Sequence, residues 1–193
     1  MTDQLPDALA GRVIALHQAL DTAGLPHAFG GAIALGYATP EPRMTRDIDV
    51  NVFVAPERLP DVEFALSSIG FRRRIEAGDA EVVPAAGVRF EHVTEPFPID
   101  VFCSIDDRYR EIEGRVTTHP FGRNDEVLPF LSPEDLCVFK LAFNRPKDWL
   151  DLAEITRARP DLDVDVIEDL VVALHGPTMY PRVARLRSLV RSA

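Results

Sequence analysis

Residues 45–50 read TRDIDV and run on as NVFV to residue 54, placing two aspartates two positions apart among β-branched residues. A strand points residues i and i+2 to the same side, so Asp47 and Asp49 share one face while Ile48 and Val50 turn to the other. Two like charges side by side repel. Without a compensating cation the arrangement costs stability and drives one carboxylate's pKa upward, so the stretch reads most simply as a cradle for a divalent metal. Arg43 and Thr45 stand just before it, where they either hydrogen-bond a phosphate chain or simply end a loop. Further upstream, HAFGGAIALGY carries the pair Gly30-Gly31.

Outward from this strand, the chain alternates helical and extended signals. Leu9, Val13, Leu16 and Leu20 recur at helical spacing and predict a helix over 7–23, stopped by Gly24 and Pro26. PHAF reads as a short strand, the glycine pair as a tight turn, and AIALGYA as a second helix ended by TPEP. A third helix is expected over Pro56–Ile69, then strands in EVVPAAGVRFEHV and PIDVFCSI. From Ser132 the texture changes. SPEDL supplies an N-cap serine, a proline at the first helical position and two acids in the first turn. The helical patterns KDWLDLAEITRA and DVDVIEDLVVALHG follow. The expected architecture is α+β, with a mixed sheet in residues 1–131 and a helical region over 132–193 packed on it.

The chain has 193 residues and 46% apolar side chains, enough for a well-packed core. Its 21 basic and 31 acidic residues give a net charge of −10, which excludes a globally basic nucleic-acid coat, so any contact with nucleic acid must be local. Two cysteines, Cys103 and Cys137, sit among apolar neighbours and read as buried thiols. His17, His27, His92, His119 and His175 lack zinc-ligand spacing. No apolar run reaches the roughly 18 to 20 residues of a membrane span, and no secretory leader is legible, so the expected location is the cytoplasm.

A third acid completes the pattern. Asp100, in PIDVF, lies among apolar residues of a strand, where a lone carboxylate is costly unless paired, hydrogen-bonded or on a metal. Three converging acids suit two divalent cations that assist in-line phosphoryl transfer. The glycine pair fits the same chemistry, because without side chains the backbone can approach phosphate oxygens at the start of a helix. The alternative for Asp100 is a structural ion pair with one of Arg72, Arg73 or Arg74.

With those residues in place, GGAIALGYATPEPRMTRDIDV resembles the glycine pair and D-x-D signature of the DNA polymerase beta-type nucleotidyltransferases. Its spelling is most similar to the AbiEii-like toxins, including the MenT group. The similarity extends to LSPEDLCVFKLAFNRPKDWLDL in the C-terminal half, so that Gly30, Gly31, Thr45, Asp47, Asp49, Lys140, Arg145, Lys147, Asp148 and Asp151 match. The resemblance implies a nucleotidyltransferase fold and transfer of a nucleotide from NTP with Mg²⁺ or Mn²⁺. On the matching positions Asp47 and Asp49 would be metal ligands, joined by Asp100 on the strength of its place in an apolar strand, and Gly30, Gly31, Lys140 and Arg145 would line the NTP, with Arg43 and Thr45 as the candidates beside them. It also implies a transfer RNA acceptor end as target and a cognate antitoxin as partner. In some relatives the antitoxin phosphorylates the hydroxyl residue two before the first aspartate, here Thr45. Two other readings stay open: transfer to a small molecule or protein, and a catalytically silent binding module.

In the C-terminal half, Lys140 lies on an otherwise apolar helix face, where its ammonium either reaches inward to phosphates or snorkels to water. Asp148 and Asp151 share a helix face and would orient Lys140 or Arg145 by charge pairing. The last stretch, PTMYPRVARLRSLVRSA, holds Arg182, Arg185, Arg187 and Arg191 and no acid. It reads either as an RNA contact or as a helix paired with the acidic DLDVDVIEDL.

Overall fold

In the computed structural model, which describes residues 4–40, 44–74, 87–94 and 96–193, the alternating stretch forms strand β2 (Ile48–Val52). It lies inside a seven-stranded mixed sheet. β2 pairs antiparallel with β1 (His27–Phe29) and parallel with β5 (Ile99–Cys103). Beyond β5 come β4 (Val88–His92) and β3 (Phe71–Arg73), both antiparallel additions. On the other side β1 runs parallel to β7 (Glu126–Phe130), which closes a hairpin with β6 (Thr117–Phe121). The order is β3-β4-β5-β2-β1-β7-β6.

Contacts divide the chain into two units, Met1–Gly30 with Thr45–Phe130, and Gly31–Met44 with Leu131–Ala193. The first contains the sheet with helices α1 (Gln4–Thr22), α3 (Leu59–Ser67) and α4 (Tyr109–Gly114). Alternation along β2 and β5 separates the two sheet faces. Ile48, Val50, Ile99 and Val101 are fully buried on one, each contributing about 1.5–3 kcal/mol of apolar burial. Helix α1 covers that face: His17 hydrogen-bonds His27, and His27 shares its side of β1 with Phe29. Asp49, Asn51, Asp100 and Phe102 point the other way.

The second unit is helical: α2 (Gly31–Ala38), α5 (Pro133–Phe143), α6 (Pro146–Ala158), α7 (Val164–His175) and α8 (Tyr180–Ser192). The helix after the glycine pair therefore groups with the C-terminal helices, packing on α5 and α6, although in sequence it lies between β1 and β2. The start signal at SPEDL works as its chemistry requires. Ser132 Oγ accepts from the Asp135 amide at 3.1 Å and donates to the buried Asp135 carboxylate at 2.6 Å. Asn144 ends α5 in the left-handed region at φ 56°, a conformation asparagine tolerates.

The structure differs from the sequence reading at several elements. The first helix begins at Gln4, and the third opens as a 3-10 turn, Pro56–Arg58, before α3. Of EVVPAAGVRFEHV, residues 81–86 lie outside the described residues, and Val88–His92 form β4. Helix α4, strand β3 and the β6–β7 hairpin were not expected. Both cysteines are free and buried, and burial pushes the Cys103 thiol up to about 11 and the Cys137 thiol higher still. Among the described residues no helix is long and apolar enough to cross a membrane.

Candidate active site

The first unit brings two of the expected acids side by side on adjacent strands. Parallel pairing sets Asp49 directly beside Asp100, while Asp47 stands in the bend just before β2. The charge that compensates these acids is partly protein. Arg89 on β4 stands in register with Asp100, and its guanidinium donates to both carboxylate oxygens at 3.1 Å. Sequence reasoning pointed to Arg72–Arg74 as the alternative partners. Arg73 and Arg74 instead pair with Glu63 and Glu91.

Asp47 is held from its own loop. The Thr45 hydroxyl donates to Asp47 Oδ1 at 2.5 Å and accepts, at 3.4 Å, from the Asp47 amide. The Gly30 amide donates to the Asp49 carbonyl at 2.9 Å, which fastens Gly30 to the acid-bearing strand. That amide is thereby occupied. Gly31 takes φ +54°, in the left-handed region that favours glycine, and opens α2. Arg43 lies outside the described residues.

Further along the same face, Asn51 is 2% exposed and its Nδ2 lacks a hydrogen-bond partner among the described residues. A buried amide donor without an acceptor is costly and uncommon. The signal for Asn51 is its own polarity: it is an amide among apolar residues, two positions beyond Asp49 in the alternation.

The donors suit a hard divalent cation, because all three are carboxylates and two are direct strand neighbours. Among the described residues, however, no group of three or more His, Cys, Asp or Glu is already arranged to hold a metal. Asp100 presents both its oxygens to Arg89.

In the second unit the structure sorts the KD motif into two pairs. Lys140, 4% exposed, donates from Nζ to Asp151 Oδ2 at 2.6 Å. Arg145, the N-cap of α6, donates through its amide, Nε and a terminal nitrogen to the fully buried Asp148 at 2.8–3.1 Å. So Asp151 orients Lys140 and Asp148 orients Arg145, while Lys147 is exposed. The Lys140 ammonium, expected on phosphates, is bonded to Asp151.

The C-terminal arginines divide as well. Arg182 donates to the Leu141 and Ala142 carbonyls at the end of α5, and Arg187 pairs with Asp165 and Glu168 on α7. The latter is the pairing with the acidic segment that the sequence left open. Arg191 donates to Ser188, whereas Arg185 stacks on the Trp149 ring.

Solved structures share the fold at low identity. The antibiotic-resistance factor ANT(2'')-Ia, in its solution structure, is 17% identical, covers 97% of this chain and 100% of its own, and superposes with a TM-score of 0.57. JHP933 from Helicobacter pylori is 16% identical over 99% of this chain and 91% of its own, with a TM-score of 0.53. An antigenic nucleotidyltransferase-like protein from Paracoccidioides brasiliensis is 15% identical over 97% and 91%, with a TM-score of 0.52. No curated protein matches significantly. A family model, the nucleotidyl transferase AbiEii toxin of type IV toxin–antitoxin systems, matches residues 14–189, which take in the Gly30-Gly31 pair, Asp47, Asp49, Asp100 and the whole KD motif. The chain belongs to the AbiEii family of nucleotidyltransferase toxins.

Proposed function

We propose that the protein transfers a nucleotide from NTP to the 3′ end of transfer RNA, with a divalent ion held by Asp47, Asp49 and Asp100. The observation that carries this reading is the in-register placement of Asp49 beside Asp100, with Asp47 in the bend two residues before Asp49 and Gly30 hydrogen-bonded to the Asp49 carbonyl. Mg²⁺ or Mn²⁺, when bound, supplies Lewis-acid stabilisation of the charge that develops on the phosphates. The chain supplies the rest. Thr45 steadies Asp47, and Arg89 fixes the plane of the Asp100 carboxylate.

Asp100 takes the proton of the acceptor hydroxyl at a carboxylate oxygen. The hydroxyl oxygen then bonds to the α-phosphorus as the bond from that phosphorus to the β-bridging oxygen breaks, and pyrophosphate leaves. Gly31, free of a Cβ, lets the backbone approach the phosphates at the start of α2. The Lys140–Asp151 and Arg145–Asp148 pairs act as positioning groups within their helices. A transfer RNA acceptor places the reaction in the cytoplasm, and a cognate antitoxin would restrain it.

The test is a transfer assay with each labelled NTP, divalent metal and total transfer RNA, run beside Asp47→Ala and Asp49→Ala. Label on RNA 3′ ends from the wild type alone is the expected result. Label on protein or on an aminoglycoside, but not on RNA, would replace the RNA acceptor and keep the transfer chemistry. Label nowhere, together with no metal binding by calorimetry, would leave a silent module. Thr45 modification is checked separately, by intact mass after incubation with the antitoxin and ATP.

A further inference from the structure

Trp149 is the chain's only tryptophan, and its surroundings are unusual for a surface side chain. It sits half-buried on α6, and its indole N–H donates to Asn144 Oδ1 at 2.8 Å. Because that N–H can only donate, the bond fixes both the ring plane and the amide orientation, and it leaves the Asn144 amino group directed to other partners. The guanidinium carbon of Arg185, from α8, lies 3.8 Å from the ring centroid. Unlike Arg187, Arg185 forms no ion pair among the described residues.

Around this stack is an open cavity of about 490 Å³, lined by Asn144, Pro146, Trp149, Leu150 and Arg185. Leu150 is 70% exposed. None of the five lining residues is acidic, in a chain whose net charge is −10. The cavity thus combines a flat aromatic and guanidinium surface, apolar walls, one unneutralised cation and a side-chain amide donor.

We propose that this cavity is a stacking site for an unpaired nucleobase of the RNA acceptor strand. An unpaired base offers a π-face to the indole–guanidinium stack, a phosphate to Arg185 and carbonyl or ring-nitrogen acceptors to the Asn144 amino group. A base in a duplex has its faces covered and cannot enter. The inference rests on the reading that the acceptor is RNA, and it names where that strand is gripped. A protein partner is the competing occupant. It would bury Leu150 against apolar groups, but it gives no reason for a stacked arginine without an acidic partner.

The single tryptophan is its own reporter. The full-length protein, without NTP or metal, is titrated with an oligoadenylate hexamer and with a duplex RNA of equal length while indole emission is followed. The hexamer is expected to quench emission saturably and with salt dependence, and the duplex is not. A fluorescein-labelled hexamer then gives affinities by anisotropy for variants whose circular dichroism matches wild type. Trp149→Ala is expected to weaken binding about tenfold or more, Trp149→Phe by less than about threefold, and Arg185→Gln by several-fold. Arg185→Gln tests the site even if Trp149→Ala does not fold.

Unchanged emission, or affinities that Trp149→Ala and Arg185→Gln leave untouched, would overturn the proposal. So would an emission response to the antitoxin alone. The outcomes separate from those of the transfer reaction. If RNA is labelled normally and Trp149→Ala leaves its KM unchanged, the stacking site fails and the reaction stands. If no transfer occurs but the hexamer binds through Trp149, the reaction fails and the site stands.

Discussion

Replacing Asp151 by alanine strips the Lys140 ammonium of its only carboxylate among the described residues and leaves it buried at 4% exposure. Removing one partner of a buried ion pair costs about 3–5 kcal/mol, because the remaining charge loses its counter-charge without regaining water. At roughly 2–4 °C per kcal/mol for a chain of this size, the melting temperature should fall by about 6–20 °C. The assay is urea denaturation followed through Trp149, which lies two residues from Asp151 on the same helix and so reports the unit in which the pair sits. The double variant Lys140→Met/Asp151→Leu replaces both charges with apolar groups of similar length and should recover most of the loss. A fall below about 1 kcal/mol for Asp151→Ala, or a double variant no more stable than the single, would refute the reasoning. The double variant also separates two roles for Lys140. If it folds and transfers nucleotide, the pair is scaffolding; if it folds and does not, Lys140 acts on the substrate.

Ser132→Ala removes the N-cap of α5 and should cost about 1 kcal/mol, read from the shift of the urea midpoint. Arg89→Ala should lower kcat for transfer by about 100-fold with KM for NTP unchanged, since it frees the Asp100 carboxylate to turn, and Arg89→Lys should restore part of it. His27 is buried, and that burial holds its pKa down to about 4 against an ordinary 6.5, with the neighbouring His17 adding to the shift. The unfolded chain therefore binds the extra proton first, so stability is full above about pH 6.5 and falls as pH drops toward 4, by roughly 3 kcal/mol at most. His27→Gln should flatten that slope in melts run from pH 7 to 4.

The legible parts of the molecule were those where local chemistry repeats. Strict alternation identified β2, and SPEDL identified the start of α5, because each is specified by residues close in sequence. Asp100 was legible from the cost of a lone acid in an apolar strand. Its partner was not, since Arg89 meets it only through the β4–β5 register. The β6–β7 hairpin was hidden by Pro120 and Pro129, which argue against a strand by removing amide donors; β6 tolerates its proline as the edge of the sheet. Lys140 and Asp151 are eleven residues apart on two helices, so no i,i+4 rule joins them. The sharp turn at Asn144 does. The three residues of β3 carry two arginines and give no periodic signal at all.

The pairing of β1 with β7 has a consequence for the order of events during synthesis. Phe29 meets Phe130 across about a hundred residues of intervening chain, whereas the acid-bearing β2 waits only for β5. At about 5–20 residues per second on the ribosome, one edge of β1 stays without its neighbour for roughly five to twenty seconds after it emerges. Nascent chains cut short before residue 126 would expose that edge permanently and invite strand pairing between copies. The cell thus gains a complete sheet only after residue 130 has emerged, and a message stalled or cleaved before that point would yield an aggregation-prone fragment in place of an enzyme.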